Sequence, residues 1–316
     1  MAVTRPNILK NAKAMKQYCD GVNKLKNEFT GPTTQQFGIP GAAQKVSTYD
    51  LFVIWHFVTM MTPTPPGQSD RNAAHRGPVF LPWHRFMLRQ LELNLQRVLT
   101  DNTFGLPYWD WAADGDLPAK QQLKSKLWTA AGIGGSGIPV TTGPFAFNAA
   151  SASSFRVRVA SDSNGELQQY NRGLERTLAH DIQTLPAKKD TANVLTLTPY
   201  DTPPWTPDST GFRNNVEGWP NGPTMHNQVH VWIGGDMSPA SSPNDPVFFL
   251  NHCNEDRIWE AWMGKHGRVY VPDQSESDDL KGHRINDELS SLVSAPTTPA
   301  AVLDSTQQYV YDSLAV

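Results

Sequence analysis

Two segments of this chain share one pattern, in which a proline-led apolar segment ends at a histidine. "PVFLPWH" covers residues 78–84 and "PVFFLNH" covers residues 246–252, with Pro, Val, Phe and His at equal offsets. A glutamate follows each histidine at the eighth position, Glu92 and Glu260. Apolar residues recur at helical spacing beyond both histidines, which places each histidine on the buried face of a helix. The repeated pattern therefore predicts two similar core helices, each of which delivers one histidine to one half of a site.

Four further histidines join these two. His56 lies inside "YDLFVIWHFVTMM", which is apolar nearly all round and so predicts a buried central helix. His226 and His230 are four residues apart in "PTMHNQVHVWIGG", a short helical segment in which positions i and i+4 share one face. His75 lies in the loop between the first two histidine-bearing helices. Together the histidines form two sets of three, which are His56, His75, His84 and His226, His230, His252.

Three neutral imidazoles at each site indicate a transition metal. Imidazole suits zinc, copper, iron and nickel, whereas carboxylate-rich sites favour magnesium, calcium and manganese. The spacing alone does not choose between copper and zinc, but a closed structural zinc site usually recruits cysteines, and none is placed to join. A zinc hydrolase of the metalloprotease type needs a glutamate directly after the first histidine of the pair. Asn227 holds that position here and cannot act as the base.

Helical periodicity predicts a mainly α protein. An amphipathic first helix is expected over residues 9–29, and Pro82 is placed to open a second core helix over 83–99. Residues 130–225 are rich in Gly, Ser, Thr, Ala and Pro and predict long loops, with one helical stretch around 165–185. The closing segment "YVYDSLAV" alternates as a strand does.

Charge and hydropathy exclude several classes of partner. The net charge is −3 and no run of Lys or Arg forms a basic stripe, so we expect no binding to nucleic acid or to an anionic membrane surface. The chain has no window of about 20 apolar residues and its N-terminal segment lacks the apolar core of a signal peptide. These features predict a soluble, cytoplasmic protein, with export alongside a partner as the alternative. Cys19 and Cys253 are far apart in sequence and are expected to be reduced thiols.

The histidine-bearing segments closely resemble the two copper-binding regions of the tyrosinase family of type-3 copper proteins. The resemblance rests on "HRGPVFLPWHRFMLRQLE", "MHNQVH" and "SPNDPVFFLNHCNEDRIW", with nine residues from His75 to His84 and 22 from His230 to His252. "LPYWDWA" and the "YVYD" tail match further landmarks. The resemblance implies a four-helix bundle that holds a dinuclear copper site, with long surrounding loops and few short strands. It implies one catalytic domain over 1–316, with copper regions at about 50–100 and about 217–262.

The resemblance also implies the metal ligands and the activity. One copper would be held by the first set of histidines and the other copper by the second set, with O2 as co-substrate. The family ortho-hydroxylates monophenols and oxidises o-diphenols to o-quinones. Ala73 stands where many fungal and plant relatives have a cysteine joined to the second ligand, so no such crosslink is expected, as in bacterial members. Arg5 and the "YVYD" tail resemble the family's contact between the start of the chain and the end of the domain.

Two residues match those that hold a water near the substrate in family members active on monophenols. They are Glu217, nine residues before His226, and Asn227. A free phenol has a pKa of about 10, so its proton must be removed before its oxygen binds well to copper. Three small or uncharged residues are expected to line the entrance and to admit uncharged or large phenols; these are Val231, Ala240 and Ser241.

The expected partners of a tyrosinase are small phenolic substrates and a helper protein that loads copper. Three alternatives to a tyrosinase remain open. The first is a catechol or o-aminophenol oxidase that does not hydroxylate monophenols. The second is an oxygen carrier like haemocyanin, which would need additional shielding domains that this chain has no residues left to form. The third is a zinc-dependent hydrolase, for which no general base is placed.

Overall fold

The computed structural model describes residues 2–316, and helices dominate the structure. The helices are α1 (Ala12–Lys26), α2 (Thr48–Met60), α3 (Phe80–Leu99), α4 (Trp111–Gly115), α5 (Ala119–Gln122), α6 (Lys188–Val194), α7 (Phe212–Glu217), α8 (Met225–Ile233), α9 (Val247–His266) and α10 (Pro299–Val302). The strands are β1 (Val3–Arg5), β2 (Val157–Ser161), β3 (Leu167–Arg172) and β4 (Tyr309–Tyr311). The prediction of a mainly α protein is confirmed, whereas the bundle geometry of the central helices stays a prediction.

Helix α2 lies at the centre of the molecule, as its sequence predicts. The Ser47 side chain accepts a hydrogen bond from the Asp50 N–H at 3.0 Å, which caps the helix at its first turn. Phe52 and Trp55 are fully buried, and the Trp55 ring packs edge-to-face on Trp83 of α3 with the ring centroids 5.3 Å apart. Most of α2 is buried against α1, strand β2 and the turn at residues 242–244, whereas Val58 in its last turn is exposed.

The two helices of the repeated pattern, α3 and α9, pack against each other. Helix α3 begins at Phe80, three residues before the predicted range of 83–99, so that Pro82 lies in the first turn, where an N–H has no intrahelical acceptor. The glutamates of the pattern both bind arginines in the interior. Glu92 accepts from Arg5 Nε at 2.8 Å, and Glu260 pairs with Arg85 Nη2 at 2.7 Å. Both halves of the pattern therefore place a histidine and a buried ion pair on one helix.

Strands β1 and β4 join the two ends of the chain as a parallel pair, with Val3 opposite Tyr309. Beside them the carboxylate of Asp256, on α9, accepts hydrogen bonds from four side chains, three of which are buried. We call these five residues the chain-end clamp: Arg5, Arg85, Asp256, Tyr309 and Tyr311. Burial alone would raise the pKa of Asp256, but the adjacent Arg85 and Arg5 guanidinium groups hold it below its ordinary value. The expected contact between Arg5 and the "YVYD" tail is confirmed.

The chain-end clamp should contribute strongly to stability. Asp256→Asn keeps the shape of the side chain but removes the charge that Arg5 and Arg85 face in the interior. Because this leaves buried charge uncompensated, the free energy of unfolding should fall by about 3–5 kcal/mol, measured by urea denaturation. Asp20→Asn is the control, since it removes one partner of the exposed ion pair with Lys16 and should change stability little. Equal losses in the two variants would contradict the role of the clamp.

The expected helical stretch around residues 165–185 is wrong. Strands β2 and β3 form an antiparallel hairpin there, with Ser161 opposite Leu167. The turn between them contains Asn164 and Gly165, and Gly165 has a φ of 77°, which a residue with a side chain rarely adopts. The Asn-Gly pair was therefore the stronger local signal.

None of the helices in the described part of the chain is both long and apolar enough to cross a membrane.

Candidate metal centre

The structure brings the six histidines together as two triads. In each triad, one nitrogen of every imidazole lies within 4.8 Å of the others; the triads are His56, His75, His84 and His226, His230, His252. The triads also meet each other, because the rings of His84 and His252 stack with centroids 4.1 Å apart and an interplanar angle of 4°. The two histidines of the repeated sequence pattern thus lie at the contact between the two halves of the site.

Five of the six histidines are placed by helices. His56 lies on α2, His84 on α3 and His252 on α9, while α8 carries the other pair on one face, as the i, i+4 spacing predicts. His75 lies in the loop between α2 and α3. There the Asn72 side-chain oxygen accepts from the backbone N–H of His75 at 2.7 Å and of Ala74 at 3.0 Å, which orders the loop around the histidine.

Backbone carbonyls orient four of the imidazoles. A carbonyl oxygen can only accept, so the Nδ1 of each of these rings carries the proton and the Nε2 carries the lone pair. The Nε2 atoms of these four rings are buried and have no hydrogen-bond partner among residues 2–316. Such orphaned nitrogens fit a bound metal ion. The Nδ1-to-carbonyl distances are His56 to Ala240 2.7 Å, His84 to Phe80 2.7 Å, His226 to Glu217 3.2 Å and His230 to Met237 2.7 Å.

His252 differs from these four. Its Nδ1 lies 3.0 Å from the Glu255 Oε2 atom, without the alignment of a hydrogen bond, and its Nε2 also has no partner within the described residues. Burial raises the pKa of Glu255 well above its usual range, and the charge of Glu217 adds to this effect. A carboxyl group beside a histidine ligand is a common way of orienting the ring in metal sites.

Burial also keeps the imidazoles neutral. It lowers the pKa of His56 to about 3 and that of His230 to about 4, since a charged ring would lose its hydration. Burial is also the main reason why the pKa lies well below its ordinary value in the other four imidazoles, which are His75, His84, His226 and His252. Neutral imidazole is the form that binds metal ions, so the set suits a metal at neutral pH.

A pocket of about 420 Å³ opens above the triads. Four histidines contribute to its lining, whereas His84 and His252 are not part of it and are nearly fully buried. A cavity of this volume can hold a single aromatic ring and its substituents. The residues lining it include His56, Met60, His75, Arg76, Trp219, His226, Asn227, His230, Val231, Ser238 and Pro239.

Two of the expected site residues, Asn227 and Val231, line this pocket. Glu217 does not. Its carboxylate is fully buried, accepting from the Arg213 guanidinium at 2.9 Å and from the backbone N–H of Arg76 at 2.7 Å. Burial raises the pKa of Glu217, and the adjacent Arg213 opposes that rise. Asn227 is therefore in direct reach of a ligand, while Glu217 lies behind the pocket wall.

The remaining two expected residues lie elsewhere. The Ala240 carbonyl accepts from His56, which makes it a support for that ring. Ser241 is fully buried, and its hydroxyl oxygen accepts from the Ser161 backbone N–H at 3.0 Å. Ser238 and Pro239 of the same loop line the pocket in their place. This placement does not support direct contacts of Ala240 and Ser241 with a substrate, because the turn directs Ser241 toward strand β2.

Among the pocket residues that sequence reasoning missed are Arg76 and Trp219. The guanidinium carbon of Arg76 lies 5.0 Å from the centroid of the Trp219 ring. The only available signal was position in the sequence, since Arg76 directly follows a triad histidine and Trp219 follows Glu217 by two.

Cys253, next to His252, is buried, and its thiol donates to the Leu106 carbonyl at 3.4 Å. Burial raises the pKa of Cys253 to about 12, so the thiol packs against α9 rather than reacting.

The fold and the two triads together define a protein of the dinuclear metal class with a pocket for a small molecule. A family model described as the common central domain of tyrosinase matches residues 46–265. A tyrosinase from Streptomyces glaucescens is 38% identical over 270 residues, which covers 84% of this chain and 89% of that protein. The chain belongs to the tyrosinase family, and it is a type-3 copper enzyme that uses two copper ions and O2.

Solved structures show the same fold. A variant polyphenol oxidase from Thermothelomyces thermophila matches with a TM-score of 0.74 at 22% identity, covering 99% of this chain and 89% of that chain. A functional unit of octopus haemocyanin matches with a TM-score of 0.55 at 20% identity, covering 99% of this chain and 69% of that one. The fold is thus shared by a polyphenol oxidase and a haemocyanin, and the sequence relationship to tyrosinases supports an enzyme.

Proposed function

We propose that this enzyme ortho-hydroxylates monophenols and oxidises o-diphenols to o-quinones. The observation that carries the proposal is the pair of triads with buried, unpartnered nitrogens beneath an open pocket that is large enough for a substituted phenol. In this proposal one copper is held by the first triad and the other copper by the second. When bound, the copper pair supplies the activation of O2 for oxidation of the ring.

The protein's own residues bind the ring and remove its proton. Val231 and the apolar part of the Trp219 side chain offer surface against which an aromatic ring can lie. The Asn227 side-chain oxygen lies 3.1 Å from His226 Nδ1, which fixes the amide at the pocket wall. In this proposal a water held between Asn227 and Glu217 accepts the phenol proton. A carboxylate with a raised pKa suits that task, because a base works best when its pKa lies near the working pH.

One observation favours a second candidate, an oxidase of catechols or o-aminophenols without hydroxylase activity. Both Glu217 oxygens are already engaged, one by Arg213 and one by the Arg76 backbone, and the side chain is not part of the pocket lining. A carboxylate held in this way has less freedom to accept a proton. A catechol is more acidic than a monophenol and already has both oxygens, so its oxidation depends less on such a base.

Oxygen uptake by the copper-loaded protein distinguishes the two candidates. We expect uptake with both 4-ethylphenol and 4-ethylcatechol, because the monophenol differs from the catechol only by the oxygen that the enzyme adds. Quinone formation measured from its absorbance should accompany uptake in both cases. If protein that holds two copper ions per chain oxidises only the catechol, the result would favour the second candidate, the oxidase without hydroxylase activity.

Two further features of the enzyme are part of the proposal. We propose one catalytic domain over residues 1–316. The pairing of strand β1 with strand β4 supports this proposal, as do triads whose histidines come from four helices and one loop. We also propose that a helper protein assists copper loading. His84 and His252 support this idea, since both lie beneath the pocket and present almost no surface to an incoming ion.

A further inference from the structure

The pocket above the triads carries one formal charge. Among the residues that line it, Arg76 alone has an ionised side chain at neutral pH once the imidazoles are neutral. The Arg76 side chain is exposed, and its guanidinium has no ion-pair or hydrogen-bond partner anywhere in residues 2–316. The only contact assigned to the guanidinium is the face of Trp219, at 5.0 Å. A cation without a carboxylate partner is thus available at the site where a substrate binds.

The backbone of Arg76 is held in an uncommon conformation. Its φ is 64°, in the left-handed region that residues with side chains seldom occupy. The backbone N–H donates to the buried Glu217 carboxylate at 2.7 Å, which fixes this conformation from behind. The next residue, Gly77, lies so close to His283 that an added Cβ would come within 2.7 Å of that ring. Arg76 therefore presents an exposed side chain from a backbone that is held in place, directly after His75.

Other arginines of the protein are used differently. Arg5, Arg85 and Arg213 are buried and each pairs with carboxylates of the protein, so their role is to hold the fold. Arg76 makes no such contribution in the described residues. An arginine at a binding site most often pairs with an anionic group of the ligand, because its planar fork matches a carboxylate.

We infer that Arg76 determines substrate specificity by pairing with a carboxylate on the substrate, so that the preferred substrates are phenols with an acidic side chain. This inference rests on the proposed function and deepens it. The phenol oxygen has to lie toward the triads, which leaves the remote end of the ring toward the exposed side of the pocket, where Arg76 lies. The neutral Val231 alone had indicated uncharged phenols, and Arg76 reverses that expectation.

Matched diphenols test the inference without requiring hydroxylation. One substrate is 3-(3,4-dihydroxyphenyl)propionate and the other is its amide, which has nearly the same size but no charge. KM of the parent enzyme should be lower for the acid than for the amide, and salt should raise KM for the acid only. Arg76→Gln should raise KM for the acid by roughly two- to fivefold more than KM for the amide, since an exposed ion pair is worth up to about 1 kcal/mol, or about fivefold.

Two variants control the experiment. Arg76→Lys keeps the charge but loses the planar fork, so it should retain part of the preference for the acid. Lys45→Gln removes one exposed positive charge away from the pocket and should leave the ratio of the two KM values as in the parent. An unchanged ratio in Arg76→Gln, or KM for the acid independent of salt in the parent enzyme, would overturn the inference. Failure of the copper-loaded parent to oxidise either diphenol would instead overturn the proposed function.

Discussion

Replacing either His84 or His252 with alanine should remove copper from the protein and abolish the oxidation of every phenol. Each variant deletes one nitrogen from a triad whose members lie within 4.8 Å of one another, and two imidazoles hold a copper ion much less tightly than three. Because the His84 and His252 rings stack at 4.1 Å, loss of either also leaves a gap between the two halves of the site. Metal analysis and oxygen uptake measure the two effects, and we expect activity to fall to background.

His180→Ala is the matched control for these variants. His180 is exposed and its ring lies beside Asp181 at 2.8 Å, outside both triads. Its replacement should leave two copper ions per chain and the activity of the parent. If His84→Ala or His252→Ala kept full activity with two copper ions, that histidine would be removed from the proposed set of ligands.

Glu217→Gln and Asn227→Ala should depress turnover of a monophenol far more than turnover of the matching catechol. In the proposed mechanism both residues hold the water that removes the phenol proton, and general-base assistance contributes about 10²–10⁴-fold. The ratio of monophenol to catechol activity should therefore fall at least roughly tenfold. Copper content should match that of the parent, because neither residue belongs to a triad.

The two variants differ in their effect on the fold, which makes the pair informative. Glu217 is a buried partner of Arg213, so Glu217→Gln will also lower stability, although Arg213 keeps its pairing with Asp201. Asn227 has no such partner charge, and because its side chain also contacts His226, the copper content of Asn227→Ala separates loss of the water from loss of metal. Gln228→Ala is the control on the same helix, since Gln228 bonds to the Thr184 carbonyl and is not part of the pocket lining. Equal losses on both substrates with copper retained would favour the oxidase without hydroxylase activity.

The triads could be predicted from the sequence because their signals are local. His226 and His230 share a helical face by spacing alone, and the repeated pattern places His84 and His252 on apolar helix faces that must turn inward. The structure confirms these expectations by bringing the four rings together. The strand at "YVYD" was predictable from the alternation of its residues. The contact of this strand with Arg5 was predicted from the family resemblance and not from local propensity.

The rest depended on contacts between distant segments. Whether Ser241 faced the pocket or strand β2 was decided by a turn whose direction no periodicity records. The position of the Arg76 side chain at the pocket depends on a positive φ of its backbone. That conformation is stabilised by Glu217, 141 positions later in the chain. The hairpin of β2 and β3 was missed for a different reason, since the Asn-Gly turn was local and outweighed a weak helical pattern.

The chain-end clamp has a consequence for how the metal site opens. Arg85 directly follows His84, and Asp256 lies one helical turn beyond His252, so a buried ion pair connects the two helices that carry the stacked rings, as the pair of Arg85 with Glu260 also does. Fraying at the ends of the chain cannot free either helix until these pairs separate. Strand β1, strand β4 and the helices that carry the stacked rings are therefore joined through one set of buried charges. His84 and His252, which lie beneath the pocket, can therefore leave their places only if buried charges are separated, whereas the other four histidines line the pocket, which is open to solvent from above.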